Sequence, residues 1–362
     1  MDYKKIMGGY VMKKIKLIFS IFCIVVLALA VLAGCGNNET ELDSQQSGDK
    51  QNEGSKKIEL RLAGQHPVEH MATEALNRIK ETIAEKSNGR IEITIYPANQ
   101  LGDYTQVYEE IMRGTIDMAL ISIPSQYDPR LEIGFIPYIA ANYEEIKKVF
   151  ASNSFLFNEV TKLHDNLGVK FLGFFGEGFG GIGCSKMPEA PANFNVDKGL
   201  LVRVPPMDVF KFGAEDLGYR TTTIPYAETY AALQTGVADG WVGGPPNLNY
   251  LWFRDVIDYY LQYNNSFEST SFVMNKKLFE SLSPEDQKII QEAIAAESEN
   301  SFDLAKADDE KYRKMLREEG IEVIEFTDEE LKAMAEHARE VTWPKLTKRL
   351  TEELVQGLKE SY

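Results

Sequence analysis

The sequence has 362 residues, 44% of them hydrophobic, so the chain is long enough to bury the cores of two lobes. It carries 39 Lys and Arg against 55 Asp and Glu, a formal net charge of −16 at pH 7. This acidic balance argues against nucleic acid or an anionic lipid surface as a partner, because both are negatively charged.

The first 34 residues have the pattern of a bacterial secretion signal. A basic stretch at 12–16 (MKKIK) precedes an almost wholly apolar run at 17–31, and residues 32–35 are LAGC. Small residues directly before a cysteine are typical of a lipobox. We therefore expect residues 1–34 to be a lipoprotein signal peptide and Cys35 to be lipidated, anchoring the protein outside the cytoplasm. The apolar run is short for a membrane span of about 20 residues, and the pattern fits a start at Met1 or at Met12.

A tether connects the lipidation site to the body of the protein. Residues 35–56 are polar and have no apolar periodicity, which predicts a flexible segment. Cleavage before Cys35 leaves 34 basic and 54 acidic residues, a net charge of −20. Of the three cysteines, Cys23 lies in the signal and only Cys184 lies in the body, so the sequence predicts no internal disulfide.

Strand-like and helix-like segments alternate through the first half of the body. Apolar patterns predict strands at 57–63, 90–96, 116–123 and 170–175. Helical spacing predicts helices at 67–87, 104–113 and 143–167. Strands separated by helices indicate an α/β fold with mostly parallel sheet.

Residues 66–70 (HPVEH) match the H-x-x-E-H pattern of inverted zinc peptidases. That chemistry needs both histidines on one helical face. Pro67 favours the first helical position, which leaves His66 outside the helix, and no third-ligand motif follows. The sequence therefore predicts no metal and no other cofactor, and it places Gln65 and His66 at the rim of a cleft.

Residues 176–181 (GEGFGG) match the G-x-G-x-x-G pattern of dinucleotide-binding folds. The pattern has that meaning only when a helix starts within the glycines. Residues 182–188 (IGCSKMP) are not helical. We predict instead a flexible crossover between two lobes, in which glycine lets the backbone approach a ligand closely.

An arginine interrupts a short apolar strand at residues 200–204 (LLVRV). Because Arg203 cannot lose its charge, burial obliges it to find an anionic or carbonyl partner, which a ligand can supply. Further on, a helix-like segment stops at Gly236, and Trp241 follows in a Gly/Pro-rich stretch. There the indole either stacks on a ligand or packs in the core.

A long helix opens the C-terminal third. Ser283 is a predicted N-cap with Pro284 at the first helical position, and nothing breaks the helix before Gly320. About 36 residues at 1.5 Å each give a length of about 50 Å, which exceeds one lobe. Two joined helices or a coiled coil are the alternatives. A strand at 321–326 and an amphipathic tail at 328–358 follow.

Three segments together resemble the DctP-type solute-binding proteins of tripartite ATP-independent periplasmic (TRAP) transporters. They are 96–120 (YPANQLGDYTQVYEEIMRGTIDMAL), 199–240 (from GLLVRVPP to QTGVADG) and 275–293 (NKKLFESLSPEDQKIIQEA). The resemblance implies a two-lobed, periplasmic-binding-protein-like α/β fold with a ligand cleft between the lobes and a long helix spanning both. It implies one lobe at 57–178 plus about 270–305, the other at 179–269 plus about 306–335, and a C-terminal helical tail at 336–362.

The function that this resemblance implies is transport and not catalysis. A DctP-type subunit captures a small organic acid outside the cytoplasm, closes over it and delivers it to membrane permease subunits. The main alternative is a lipoprotein of the same fold that reports to a membrane sensor. A zinc hydrolase at His66 and His70 and a structural surface lipoprotein are the remaining alternatives.

The resemblance also implies a binding site centred on Arg203, which matches the arginine that holds the substrate carboxylate in the family. Many members have a second arginine where this chain has 178–183 (GFGGIG), and an asparagine where it has Gly243. These departures weaken the case for a C4-dicarboxylate and favour a bulkier acid with one carboxylate. The residues expected to help are Asn247, Glu177 and the backbone amides of Gly243 and Gly244, with Trp241 and Phe179 as aromatic surface.

Overall fold

The computed structural model describes residues 57–361. The predicted signal peptide, the predicted lipidation site Cys35 and the whole predicted tether lie outside the described residues. Within that part of the chain, no helix has both the length and the apolar character that a membrane crossing requires.

Eleven strands occur between residues 57 and 361, and they form two sheets of five and six strands. The first sheet has the order β2-β1-β3-β10-β4 and the second the order β11-β9-β5-β8-β6-β7. The strands are β1 Ile58–Gly64, β2 Ile91–Tyr96, β3 Met118–Ile121, β4 Val169–Phe179, β5 Gly181–Cys184, β6 Leu201–Val204, β7 Arg220–Thr223, β8 Gly240–Gly244, β9 Tyr259–Gln262, β10 Phe267–Asn275 and β11 Glu322–Glu325.

The helices cover the sheets and fill the C-terminal tail. They are α1 Met71–Lys86, α2 Tyr104–Arg113, α3 Tyr143–Val149, α4 Phe155–Asn166, α5 Asp208–Asp216, α6 Thr229–Gln234, α7 Pro246–Leu248, α8 Lys276–Ser281, α9 Pro284–Glu318, α10 Asp328–His337, α11 Trp343–Leu350 and α12 Glu352–Glu360. Shorter 3₁₀ turns lie at Pro129–Phe135 and Tyr226–Glu228, and π-helical turns at Asn249–Phe253 and Ala338–Thr342. The predicted α/β class with two lobes is confirmed.

Both sheets are mixed, and five of the nine strand pairs in residues 57–361 are parallel, so the expectation of mostly parallel sheet holds by a narrow margin. Strands β1, β2 and β3 run parallel, as do β6, β7 and β8. By contrast, β10 is antiparallel to β3 and β4, and β5 is antiparallel to β8 and β9. The antiparallel pairs come from the double crossover, because the chain leaves the first sheet through β4 into β5 and returns through β9 into β10. Of the pairs that these four strands make, only β9 with β11 is parallel.

The glycine-rich crossover is a pair of strands and not the flexible segment that its composition predicted. β4 continues to Phe179, and β5 begins at Gly181. Between them, the Gly180 N–H donates to the Ser266 carbonyl at 2.8 Å, joining the outward crossing to the returning one. Because the two crossings pair with each other, backbone hydrogen bonds hold the glycines in extended conformation.

Two predicted helices begin or end differently in the structure. Pro67 lies in a turn before α1, and the helix starts four residues later, capped by His70, whose Nδ1 accepts the Ala72 N–H at 3.1 Å. The helix expected at 143–167 is two helices, because Ser154 caps α4 by accepting the Phe157 N–H at 3.0 Å. A capping side chain that satisfies free N–H groups starts a new helix at that point.

Helix α9 spans both lobes, as predicted. It has 35 residues, a length of about 52 Å at 1.5 Å per residue. Toward the first sheet, Ser301 Oγ accepts the β4 N–H of Gly176 at 2.8 Å. Toward the second, the ring of Tyr312 lies 5.6 Å from that of Tyr250, and Leu316 joins the core around Trp241. One rigid helix therefore contacts elements of both sheets.

Candidate functional site

A cavity lies between the two sheets and is lined by residues of both. Its walls come from the carboxyl ends of parallel strands: Gln65 follows β1, Ser122 follows β3, and Arg203 is the penultimate residue of β6. Ligands of open α/β sheets bind at this end of the strands, where the connections diverge and leave a crevice. The crossover strands supply further walls through Glu177 and Glu268.

Arg203 is 3% exposed and lines this cavity. Its Nε donates to the Ile224 carbonyl at 2.8 Å, and the guanidinium lies 5.9 Å from the ring centre of Tyr226. One terminal nitrogen has no hydrogen-bond partner among the described residues. Burial lowers the pKa of the guanidinium to about 10, which still leaves it charged at neutral pH. The site thus contains a buried cation with free donors, the arrangement that binds a carboxylate.

Gln65 is fixed by the neighbouring strand end. Its Nε2 donates to Ser122 Oγ at 2.9 Å, and its Oε1 accepts the Ser122 N–H at 2.7 Å. Both groups line the cavity. The amide joins the ends of β1 and β3 and so holds this wall in place.

His66 reaches the cavity through Glu177. Both side chains are buried, at 1% and 3% exposure, and His66 Nε2 lies 3.0 Å from Glu177 Oε1. The imidazole also stacks on His70, with ring centres 4.3 Å apart. Glu177 lines the cavity wall. Both residues were predicted to belong to the site, but they are far apart in sequence and their contact was not predicted.

The potential ligand atoms of His66, His70 and Glu177 lie within 4.8 Å of one another, so the structure assembles a possible metal-binding set. It is not the set of the sequence motif, because Glu69 is exposed. Nδ1 of His70 already accepts a backbone N–H, so the ring proton of neutral His70 sits on Nε2, its other possible ligand atom. A metal needs the lone pair of that atom, and this tautomer therefore opposes metal binding.

Trp241 is held mainly by packing. Its Nε1 donates to Asn249 Oδ1 at 2.9 Å, its ring lies 4.3 Å from that of Phe253, and it is 1% exposed. A Cβ on Gly244 would lie 2.2 Å from the indole, so this glycine makes room for Trp241. Trp241 contributes one edge to the cavity wall, whereas Gly244 is not among the lining residues.

The remaining predicted residues divide between the cavity and its surroundings. Gly243 lines the cavity with φ of +106°, a conformation that favours glycine. Phe179 does not line it and packs edge-on against Tyr143 and Phe267, 5.0 and 5.4 Å between ring centres. Asn247 is buried next to His70, outside the cavity wall. The aromatic surface expected from Phe179 is therefore absent from this wall.

Glu268 is a lining residue that the sequence analysis missed. It lies on β10, half-buried, and its Oε1 accepts a hydrogen bond from Ser266 Oγ at 2.6 Å. Burial, together with the charge of Glu177, raises its pKa to about 8, although the Ser266 hydrogen bond and the charge of Arg203 act to lower it. The sequence signal was weak, because Glu268 is followed by the polar run 269–271 (STS) and does not stand out as Arg203 does among apolar neighbours. The titratable groups that act on it or sense its charge are Glu177, Arg203, Tyr226 and Tyr260.

The raised pKa of Glu268 makes stability depend on pH. Between about pH 4.5 and 8 the folded protein keeps a proton on Glu268 that the unfolded chain releases, so the free energy of unfolding falls as pH rises. The slope from one group is at most about 1.4 kcal/mol per pH unit. We expect Glu268→Gln to lose this part of the pH dependence of the free energy of unfolding. Urea denaturation of the unmodified protein and the variant at pH 5 and pH 8 measures it. If the free energy of unfolding changed equally with pH in the two proteins, the raised pKa of Glu268 would be contradicted.

The chain matches a family model. The model is described as DctP, bacterial extracellular solute-binding protein, family 7, and it matches residues 62–348. Among curated proteins, the C4-dicarboxylate-binding periplasmic protein DctP of Rhodobacter capsulatus is 26% identical over 262 residues, 71% of this chain and 77% of that protein. The sialic acid-binding periplasmic protein SiaP of Vibrio cholerae is 24% identical over 267 residues, 73% of this chain and 82% of that protein.

Solved structures match over most of the chain. A TRAP periplasmic solute-binding protein from Haemophilus influenzae with bound L-gulonate has a TM-score of 0.76 and 27% identity, covering 84% of this chain and 100% of that one. The sugar acid-binding protein DctPAm of Advenella mimigardefordensis, in complex with galactonate, has a TM-score of 0.77 at 20% identity. It covers 84% of this chain and 98% of that one, and it shows the shared fold.

Proposed function

Because the chain belongs to family 7 of the bacterial extracellular solute-binding proteins, we propose that it captures a small organic acid and delivers it to the membrane permease subunits of a TRAP transporter. The ligand occupies the cavity between the two sheets, and its carboxylate is held by Arg203. Closure of the two lobes over the ligand produces the form that the permease recognises. The protein catalyses no reaction on the ligand.

The observation that carries this proposal is that Arg203 is buried without an anionic partner in the described chain. No carboxylate of the described chain lies within ion-pair distance of it, and its free terminal nitrogen is buried in a cavity wall. A buried charge without a partner is costly, so a site that retains one gains by binding an anion. The names of the relatives agree, since C4-dicarboxylates, sialic acid and L-gulonate all carry a carboxylate.

A thermal-shift screen tests the proposal. The purified protein is heated with single members of a panel of mono- and dicarboxylates, sugar acids and aromatic acids, with uncharged sugars as the matched control. A ligand present at 100 times its Kd stabilises the folded state by about 2.7 kcal/mol, which raises the unfolding midpoint by several degrees. We expect at least one carboxylate to produce such a shift. A panel in which only uncharged sugars do so would overturn the proposal.

The zinc-hydrolase alternative makes a separate prediction. Because the His70 tautomer opposes metal binding, we expect equimolar Zn²⁺ to leave the unfolding midpoint unchanged and metal analysis to find less than stoichiometric zinc. Stoichiometric zinc, with destabilisation by a chelator, would support the alternative. A sensor lipoprotein binds ligand in the same way and differs in its partner, so co-purification with permease or with a sensor kinase distinguishes the two.

The lipid anchor at Cys35 completes the proposal. Its support is the sequence LAGC after a basic and apolar leader. An acyl-modified Cys35 at the mature N-terminus keeps the binding protein close to the membrane, and residues 35–56 let it turn toward the permease. The mass of the N-terminal peptide from membrane-extracted protein tests this, and an unmodified cysteine there would contradict it.

A further inference from the structure

We propose that Glu177 and Glu268 determine the specificity of this cavity, so that it selects a monocarboxylate bearing several hydroxyl groups and excludes dicarboxylates. The inference rests on the proposed function, because it takes Arg203 as the anchor of the ligand carboxylate. It concerns the groups of the ligand other than the anchored carboxylate, whose chemistry cannot be inferred from Arg203 alone.

The first argument is the charge of the walls. Arg203 is the only Lys or Arg among the described residues that line the cavity, and Glu177 and Glu268 line it as well. One cation therefore serves the ligand, and two carboxyl groups surround it. A second ligand carboxylate has no cation to bind, and the negative charge of Glu177 repels it in a site that excludes water.

The second argument is that these carboxyl groups have hydrogen-bonding capacity to spare. Glu268 receives one hydrogen bond, from Ser266, on one of its two oxygens. Glu177 pairs with His66 through Oε1, 3.0 Å from Nε2, and its other carboxylate oxygen receives no hydrogen bond from residues 57–361. Buried acceptors in folded proteins are nearly always satisfied, so a ligand with donor groups is expected here.

The third argument separates hydroxyl groups from an ammonium group as the donor. Burial and the charge of Glu177 keep Glu268 largely protonated at neutral pH, and a neutral carboxyl both donates and accepts, as a hydroxyl does. The other polar groups of the wall are also uncharged, among them Ser122, Ser269, Tyr104 and Tyr226. The Tyr226 hydroxyl is buried without a hydrogen-bond partner in the described chain. Such a wall suits several hydroxyl groups better than one cation.

Isothermal titration of the full-length protein with two matched sets of acids tests the inference. The six-carbon set is gluconate, hexanoate, adipate and 6-aminohexanoate, and the four-carbon set is erythronate, butyrate, succinate and 4-aminobutyrate. Each set compares hydroxyl groups, no polar group, a second carboxylate and an ammonium group on one chain length. We expect a hydroxy acid to bind at least ~100-fold more tightly than its three matched acids, because a site built for hydroxyl groups rejects analogues that lack them.

Variants connect the preference to the two residues. Glu268→Gln and Glu177→Gln remove a carboxyl group while keeping its shape, so each is expected to reduce the preference for hydroxy acid over dicarboxylate by at least ~10-fold. Glu322→Gln, which removes an exposed carboxylate from β11, is the matched control and leaves the preference unchanged. Circular dichroism of each variant checks that it is folded.

The outcomes separate this inference from the proposed function. Tightest binding of a dicarboxylate, a plain acid or an amino acid overturns the inference and leaves the proposed function standing. An unchanged preference in both folded glutamine variants overturns the role of Glu177 and Glu268. Binding of none of the eight acids, together with no response to any carboxylate of the wider panel, overturns both.

Discussion

Replacing Arg203 by alanine is expected to raise the Kd for the ligand carboxylate at least ~100-fold. The guanidinium is the cation of the cavity wall, and truncating one partner of a buried, hydrogen-bonded charge pair costs about 2–5 kcal/mol. A loss of about 2.7 kcal/mol corresponds to 100-fold in affinity. The thermal shift produced by the best ligand of the panel should disappear, and titration calorimetry measures the remaining affinity.

Two further variants show whether the effect is specific to this arginine. Arg203→Lys keeps the charge but loses the planar pair of donors, so it should bind with intermediate affinity. Arg220→Ala removes the same charge from the adjacent strand β7, where Arg220 is exposed and bonded to the Gly199 carbonyl, and it should bind normally. Because Arg203 has no ion-pair partner in the described chain, its loss should not destabilise the ligand-free fold. Normal affinity in folded Arg203→Ala would contradict its role as the anchor.

The second large effect is expected at the crossover, where Gly181→Ala should destabilise the protein by about 3 kcal/mol. A Cβ at this position would lie 2.3 Å from the Leu261 carbonyl oxygen and 2.7 Å from the Tyr260 hydroxyl. The carbonyl belongs to the backbone of β9, the strand paired with β5, and cannot move without breaking that pairing. Strand β5 is also the entry to the second sheet, so the distortion affects the junction of the lobes.

Gly134→Ala is the matched control, because a Cβ at Gly134 would meet no atom within 4 Å. Urea denaturation of both variants and of the unmodified protein gives the free energies of unfolding. A loss at Gly181 no larger than the loss at Gly134 would show that the two crossing strands are less closely packed than the structure indicates.

The sequence by itself determined those features whose causes are local. Ser283 and Pro284 start α9, and the absence of any breaker up to Gly320 sets its length, so its bounds were predicted to within a residue. Helix α2 was predicted at its observed bounds for the same reason. Arg203 stood out because a permanent charge in an apolar strand is costly unless it has a partner. The order of helices and strands and three quoted segments were enough to recognise the family.

Only the tertiary structure decided which distant residues share the cavity. His66 and Glu177 meet because β4 crosses beside the loop after β1, and Glu268 faces Arg203 because β10 returns along the same junction. The antiparallel crossing strands, and with them the ordered backbone of Gly180, depend on pairing between segments more than fifty residues apart. Periodicity and capping act within a few turns of chain, whereas strand pairing is a choice among many distant partners. Arg203 and Glu177 were therefore predicted as site residues, whereas Glu268 and the contact between His66 and Glu177 were not.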